Sequence, residues 1–156
     1  MGKCRACEAG VILAVDESNL SEAARIHSIS WQQSHRAFCT TEWIDMHSPQ
    51  RQEAYIRRKI AQGSRFYMLV MEEPVGIVSI AGNVMEDLYV LPDQQNKGFG
   101  TMLLRYAMAK CAGIPALWIL ENNLGAKRLY RRMGFMETGR RQPITEGLDE
   151  IELARA

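Results

Sequence analysis

Leu88-Tyr89-Val90-Leu91-Pro92-Asp93-Gln94-Gln95-Asn96-Lys97-Gly98-Phe99-Gly100 reads as an apolar strand, a short polar turn, and two glycines that open a helix. This geometry turns several backbone N–H groups and a helix N-terminus toward one point. Such a point suits an anion, most often a phosphate. Gly98 and Gly100 carry no Cβ, so the backbone there can approach a ligand closely. The amides of Gln95, Asn96, Lys97, Gly98, Phe99, Gly100 and Thr101 would face that ligand. The first-turn dipole adds roughly half a positive charge. A diphosphate is a good match. The turn is not a P-loop, because no Gly-Lys-Ser/Thr follows. It is not the dinucleotide fingerprint either, because G-x-G-x-x-G is absent.

Outward from this turn, the flanking elements alternate between short apolar runs and amphipathic helices. On the N-terminal side, Met85–Leu91, Val75–Ala81 and Phe66–Met71 read as strands, with a hairpin at Glu72-Glu73-Pro74. Ser48-Pro49 starts a helix through Tyr55, Ile56 and Ile60, which Gly63 stops. Asn19 and Glu22 form a capping pair for a helix running to about His35. Its Leu20, Ala23, His27, Ser30 and Trp31 share one face. Val11–Val15 is the first strand.

On the C-terminal side, Gly98–Ala112 is a helix with Phe99, Met102, Leu103, Tyr106 and Ala107 as its apolar stripe. Ala116–Leu120 is a buried strand. A helix capped at Asn122 or Asn123 buries Ala126, Leu129, Tyr130 and Met133, and Gly134 ends it. Phe135–Gln142 and Glu150–Leu153 are the last strands. The order β-α-α-β-β-β-α-β-α-β-β, with consecutive strands in its middle, predicts an α+β fold with a largely antiparallel sheet.

Length fits one domain over residues 1–156, large enough for a core without disulfides or metal. The net charge of +1 favours neither nucleic acid nor an acidic membrane. No apolar run approaches the about 20 residues that span a bilayer, and no signal-peptide h-region is present. Cys4-Arg5-Ala6-Cys7 has the spacing of half a zinc site, but no second pair follows, so no metal is expected. Cys39 and Cys111 complete no disulfide framework, and a cytoplasmic location fits.

Two motifs carry a family resemblance. Gln95-x-x-Gly98-x-Gly100, placed after Leu88-Tyr89-Val90-x-Pro92, resembles the acyl-CoA pyrophosphate loop of the GNAT superfamily of N-acyltransferases. Asn123-x-x-Ala126-x-x-x-Tyr130-x-x-x-Gly134-Phe135 is similar to the second signature of that family, in the family's order and spacing. The likeness covers about residues 85–136 and is looser over the N-terminal helices, where Trp31 and the polar segment after it look substrate-facing.

The resemblance implies a GNAT-like mixed sheet with helices on both faces and splayed central strands. Leu88, Tyr89 and Val90 would part from Ala116–Leu120, and the pantetheine arm of acetyl-CoA would add to the open edge. An amide near Leu88–Val90 would serve as oxyanion donor. Tyr130 would donate a proton to the departing thiolate, or else simply pack its helix onto the sheet. Asn123 would cap its helix, contact the cofactor, or do both.

The acceptor amine needs a general base. Strand alternation puts Glu86 on one face with Leu88 and Val90, which makes it the first candidate, and puts Asp87 on the other. Glu121, at the end of the neighbouring strand, is a further choice. Relatives with a glutamate twelve residues before the tyrosine differ here, because that position is Trp118. Lys97 is expected at the phosphates mainly through its backbone. Lys127, Arg128 and Arg131 read as a wet helix face, and Arg140-Arg141 as a solvated strand end. His27, His35 and His47 show no triad spacing.

The resulting expectation is an N-acetyltransferase that moves acetyl from acetyl-CoA to a primary amine of a small molecule or protein by direct attack. A non-catalytic acyl-CoA-binding regulator is the alternative. The first two helices, their linker (about Trp31–Ser48) and the segment around Arg140–Leu148 should form the acceptor pocket. Homodimers are frequent in the family, so a homodimer is among the expected states.

Overall fold

The computed structural model describes residues 10–36, 40–42 and 46–156. Seven strands form one sheet in the order β1-β2-β3-β4-β5-β7-β6. They are β1 (Val11–Ala14), β2 (Arg65–Val70), β3 (Pro74–Ala81), β4 (Val84–Val90), β5 (Ala116–Leu120), β6 (Phe135–Thr145) and β7 (Leu148–Arg155). All neighbours pair antiparallel except β4 and β5, which run parallel. The mixed α+β architecture and the element order are as the sequence predicts. Among the described residues no helix is long and apolar enough to cross a membrane.

Helices α1 (Leu20–His35) and α2 (Pro49–Ala61) cover one face of the sheet. Leu20, Ala23, Ala24, Ile26 and Ile56 pack there against Phe66, Met68 and Ile77. Helices α3 (Phe99–Lys110) and α4 (Leu124–Arg132) take part in the core of the opposite face. There Phe99, Leu103, Leu104, Ala107 and Tyr130 pack on Leu69, Val78, Ile80, Met85 and Leu117. Strands with apolar side chains on both faces read as near-continuous hydrophobic runs, which is how β2 and β3 look in the sequence.

The caps show which local signals acted. Ser48 Oγ accepts from the Arg51 amide, 3.3 Å away, and Pro49 fills the first helical position. Asn19 departs from the expected capping pair. Its Oδ1 accepts from the Asp16 amide and its Nδ2 donates to the Ala14 carbonyl, so it fastens the β1–α1 turn instead of capping α1. Helix α3 stops at Lys110, two residues before the predicted end, because Cys111 is already extended. Strands β6 and β7 run longer than predicted. Most of β6 is exposed, so apolar alternation could not mark its extent.

Cys4, Cys7, Cys39 and part of the α1–α2 linker lie outside the described residues. Among the described residues no three His, Cys, Asp or Glu side chains group as metal ligands. Cys111 is a free, half-buried thiol whose pKa is raised by burial, so it is held as thiol.

Candidate active site

The centre of the sheet is open. Strand β4 pairs with β5 only at Val84↔Ala116 and Met85↔Leu117. A bulge lies at the point where pairing stops. Against β3, Val78 faces Leu88 and Ile80 faces Met85, so β4 carries one extra residue in this interval. A bulge bends its strand and increases the local twist, and here it turns β4 away from β5. Residues 88–90 of β4 therefore have ladder partners on β3 and none on β5.

The bulge corrects the expected facing of Glu86. Met85, Leu88 and Val90 all pack toward the core of α3 and α4. Both intervening side chains go to the other face: Glu86 Oε2 lies 2.6 Å from Lys59 Nζ on α2, and Asp87 lies against α1 and α2. Glu86 thus neighbours Asp87 and Tyr89 rather than Leu88 and Val90 alone. An inserted residue breaks the period of two on which the expectation rested.

Two cavities meet at the opening. One, of about 260 Å³, lies in the gap between β4 and β5 and is lined by Leu88, Val90, Leu120, Asn123, Ala126 and Tyr130. The other, of about 910 Å³, lies over α1 and α2 and is lined by Trp31, Arg51, Tyr55, Arg58, Asp87 and Gln142, among others. His35, Glu86, Tyr89, Trp118 and Glu150 border both. The larger cavity thus draws on the two helices and the linker, as expected. It takes only Gln142 from the segment 140–148.

The glycine turn sits beyond the far end of β4. A short 3₁₀ turn (Pro92–Gln94) leads to Gly98, the N-cap of α3, whose φ of +87° is left-handed. Asn96 is also left-handed, at +63°. No atom stands within 4 Å of where a Cβ on Gly98 would be, and a Cβ on Gly100 would meet only Val90 Cγ2, at 3.9 Å. The turn is therefore open on its outer side and its first α3 amides have no helical acceptor. Gln95 bends back, its Nε2 donating to the Val90 carbonyl at 3.1 Å. Lys97 Nζ reaches Gln94, and Thr101 is half-buried in the first turn of α3. The Phe99 side chain belongs to the core, leaving only its amide for a ligand.

On the opposite wall, Asn123 Oδ1 accepts from the Ala126 amide at 3.1 Å, so it caps α4 while bordering the gap. Tyr130 is buried and packs edge-on against Phe135. Burial pushes its phenol pKa well up, so the hydroxyl keeps its proton. Packing and cavity lining are both true of this residue.

Several charges behave otherwise than expected. Glu121 is paired with Arg141, which also holds Asp149 at 3.1 Å. Arg140 bonds Glu152 at 3.1 Å and lies over the Trp118 ring. The Arg140-Arg141 spot is therefore solvated, as expected, but it lies within β6 rather than at its end and forms an ion-pair lattice across β6, β7 and the end of β5. Lys127 and Arg131 both lie near Glu137.

The sequence reading missed a buried polar cluster under the larger cavity. Asp87 Oδ1 is 3.1 Å from His27 Nε2, while Asp87 Oδ2 accepts from Ser79 Oγ at 2.7 Å and Tyr55 OH at 3.1 Å. Burial alone would raise the Asp87 pKa, but the hydrogen bonds from His27, Ser79 and Tyr55 outweigh it and hold it below the usual range. His35 and His47, apart in sequence, both stack on the Trp31 ring. Burial depresses the His35 pKa and keeps it neutral. These residues come from distant parts of the chain, so no local motif could have shown the cluster.

A parted sheet with a glycine turn at one mouth defines a class, in which an open α+β sheet admits an extended ligand between two of its strands. Residues 62–137 match the acetyltransferase (GNAT) domain family. A 69-residue stretch is 36% identical to the peptidyl-lysine N-acetyltransferase YjaB of Salmonella typhimurium, covering 44% of this chain and 47% of that protein. A 67-residue stretch is 36% identical to streptothricin acetyltransferase of Streptomyces lavendulae, covering 40% of this chain and 35% of that one. The alignments thus span less than half the length of either relative. The crystal structure of PaiA N-acetyltransferase from Thermoplasma acidophilum, in complex with coenzyme A, shares the fold, with a TM-score of 0.71. The identity is 20%, over 95% of this chain and 99% of that one. Residues 62–137 are thus similar to the GNAT acetyltransferase domain, and the chain as a whole shares the fold of an N-acetyltransferase.

Proposed function

We propose that this protein is an N-acetyltransferase that uses acetyl-CoA to acetylate a primary amine. The observation that carries the reading is the parting of β4 from β5, with the open glycine turn beyond one end and Tyr130 on its wall. The residues present fit a long, phosphate-ended ligand. Gly98 leaves its outer side clear, residues 88–90 offer an unpaired strand edge, and the gap connects both regions.

Acetyl-CoA, when bound, supplies an acyl carbon activated by its thioester. The amides from Gln95 to Thr101 would hold its phosphates, aided by the α3 dipole. The free edge of Leu88, Tyr89 and Val90 would align the pantetheine arm, and an amide there would face the acyl oxygen. Tyr130 Oη keeps its proton through burial and can give it to the leaving sulfur. Asn123 would hold the start of α4 against the same ligand. The acceptor would enter through the larger cavity and meet the acyl group where the two cavities share Glu86, Tyr89 and Trp118. Small-molecule amines and protein lysines are the two acceptor classes to test, since one relative is named for each kind of substrate.

The test is release of free CoA thiol from acetyl-CoA with a panel of amines: lysine-containing peptides, polyamines and amino-sugar antibiotics. Turnover with at least one amine, lowered at least tenfold by Tyr130→Phe without loss of acetyl-CoA binding, supports the reading. Tight acetyl-CoA binding with no turnover on any amine would instead make the chain an acyl-CoA-binding regulator.

A further inference from the structure

An amine that attacks a thioester must lose a proton, and the strand glutamate where the two cavities meet is already engaged by a lysine. Glu86 is engaged by Lys59 at 2.6 Å. Glu121 is engaged by Arg141. A buried histidine on α1 lies against the same cavity.

His27 is 3% exposed and borders the larger cavity. Its Nε2 is 3.1 Å from Asp87 Oδ1. Asp87 is held in turn by Ser79 and Tyr55, and its own amide donates to Ser79 Oγ at 3.1 Å. A carboxylate fixed in this way accepts and does not donate. It therefore places the imidazole hydrogen on Nε2 and leaves the lone pair on Nδ1. Nδ1 is buried and has no partner among the described residues. Ser30 Oγ, one turn along α1, is also buried and unpartnered, and Ser30 borders the gap between β4 and β5. A buried polar group left without a partner is destabilising. Here two occur on one side of one helix, one bordering each cavity.

We propose that His27, oriented by Asp87, accepts the proton of the attacking amine. The inference rests on the acetyl-transfer reading. As the C–N bond forms, the amine N–H bond breaks and its proton bonds to His27 Nδ1. The electron pair of the broken C–S bond leaves with sulfur, which takes the hydrogen of Tyr130 Oη. Solvent then accepts the proton of the imidazolium and returns one to Tyr130, so charge and atoms balance. Asp87 compensates the transient imidazolium charge and is a positioning residue.

The groups facing His27 from each packed element are compatible with this role. Strand β4 contributes Asp87, Glu86 and the ring of Tyr89, 4.9 Å from the imidazole. Strand β3 contributes Ser79. Helix α2 contributes Tyr55, at 5.4 Å, with Arg58 beyond its ring. His35 on α1 itself and His47 before α2 stand on either side of Trp31. Tyr55 and Tyr89 are kept as neutral phenols, chiefly by burial and then by Asp87.

The experiment pairs imidazole ¹⁵N NMR of the full chain with kinetics. The resting enzyme should show His27 as the Nε2–H tautomer, and Asp87→Asn should disturb it. His27→Gln should retain acetyl-CoA affinity, lower kcat roughly 10²- to 10⁴-fold and remove the acidic limb of the pH–rate profile. An Nδ1–H tautomer in the wild type overturns the proposal, and this readout stands even if His27→Gln does not fold. Wild-type turnover with an unchanged rate in folded His27→Gln overturns the proposal alone. Absence of wild-type turnover on every amine overturns the acetyl-transfer reading, and the base with it.

Discussion

At the scale of single residues, Asp87 and Gly98 make the sharpest demands on the chain. Asp87 is buried, accepts from three side chains, and titrates below its ordinary value of 3.8. The unfolded chain therefore takes up this proton at higher pH than the folded one. Stability from Asp87 is complete above the unfolded value and declines as pH falls from about 4 through the folded value. Urea unfolding across an acid series should show this decline, and Asp87→Ala should flatten it while removing about 3–5 kcal/mol at neutral pH. Gly98 is different, because its demand comes from both conformation and space. Its φ of +87° disfavours any Cβ, and the position of that Cβ is empty of protein. Gly98→Val should thus lose about 1–2 kcal/mol of stability and yet stay folded. Its affinity for acetyl-CoA should fall at least a hundredfold in calorimetric titration. Unchanged affinity in the folded variant would detach the turn from the phosphates.

At the scale of elements, the packing of α3 on β3 and β4 depends on Gly76. A Cβ there would stand 2.7 Å from Leu103 Cδ1 and 2.9 Å from the Tyr89 carbonyl oxygen. The leucine tip can rotate, but the carbonyl belongs to the ladder and cannot. Gly76→Ala should push β3 from β4 beside the bulge and cost about 1–3 kcal/mol, read as a lower urea midpoint. This close approach was not visible in the sequence, where Gly76 is one small residue in an apolar run. What was visible followed local rules. Ser48-Pro49 gave a cap, Ala126, Tyr130 and Met133 gave a face (Leu129, also expected there, is only half-buried and outside that cluster), and the hairpin at Glu72-Glu73-Pro74 formed where expected. The failures occurred where non-local structure took precedence. One inserted residue in β4 reversed the facing of Glu86, and Asn19 bound the preceding turn rather than its helix. The cluster of His27, Tyr55, Ser79 and Asp87 joins four elements, so only the folded chain brings it together.

At the scale of the whole molecule, the sheet is two smaller sheets joined at a narrow seam. Strands β1–β4 form one part and β5, β7 and β6 the other, and across the seam only Val84↔Ala116 and Met85↔Leu117 pair. Each part has its own ladders, whereas beyond Met85 the edges of β4 and β5 face a cavity. Backbone groups along such an edge lack the protection of a paired ladder, and local opening there requires less free energy than opening of the interior. A ligand that lies along the gap would add partners to those groups and tie the two parts together. Binding to the folded chain alone also stabilises it by mass action, by about 2.7 kcal/mol at a ligand concentration one hundred times Kd. Acetyl-CoA should therefore raise the melting temperature in a concentration-dependent way. Hydrogen exchange should slow most at residues 86–90 and 95–101, and little in β1 or β6, which lie at the outer edges. A uniform slowing across all seven strands would mean global stabilisation without insertion at the seam. Slowing confined to 95–101 would mean that the turn binds phosphate while the strand edge stays exposed.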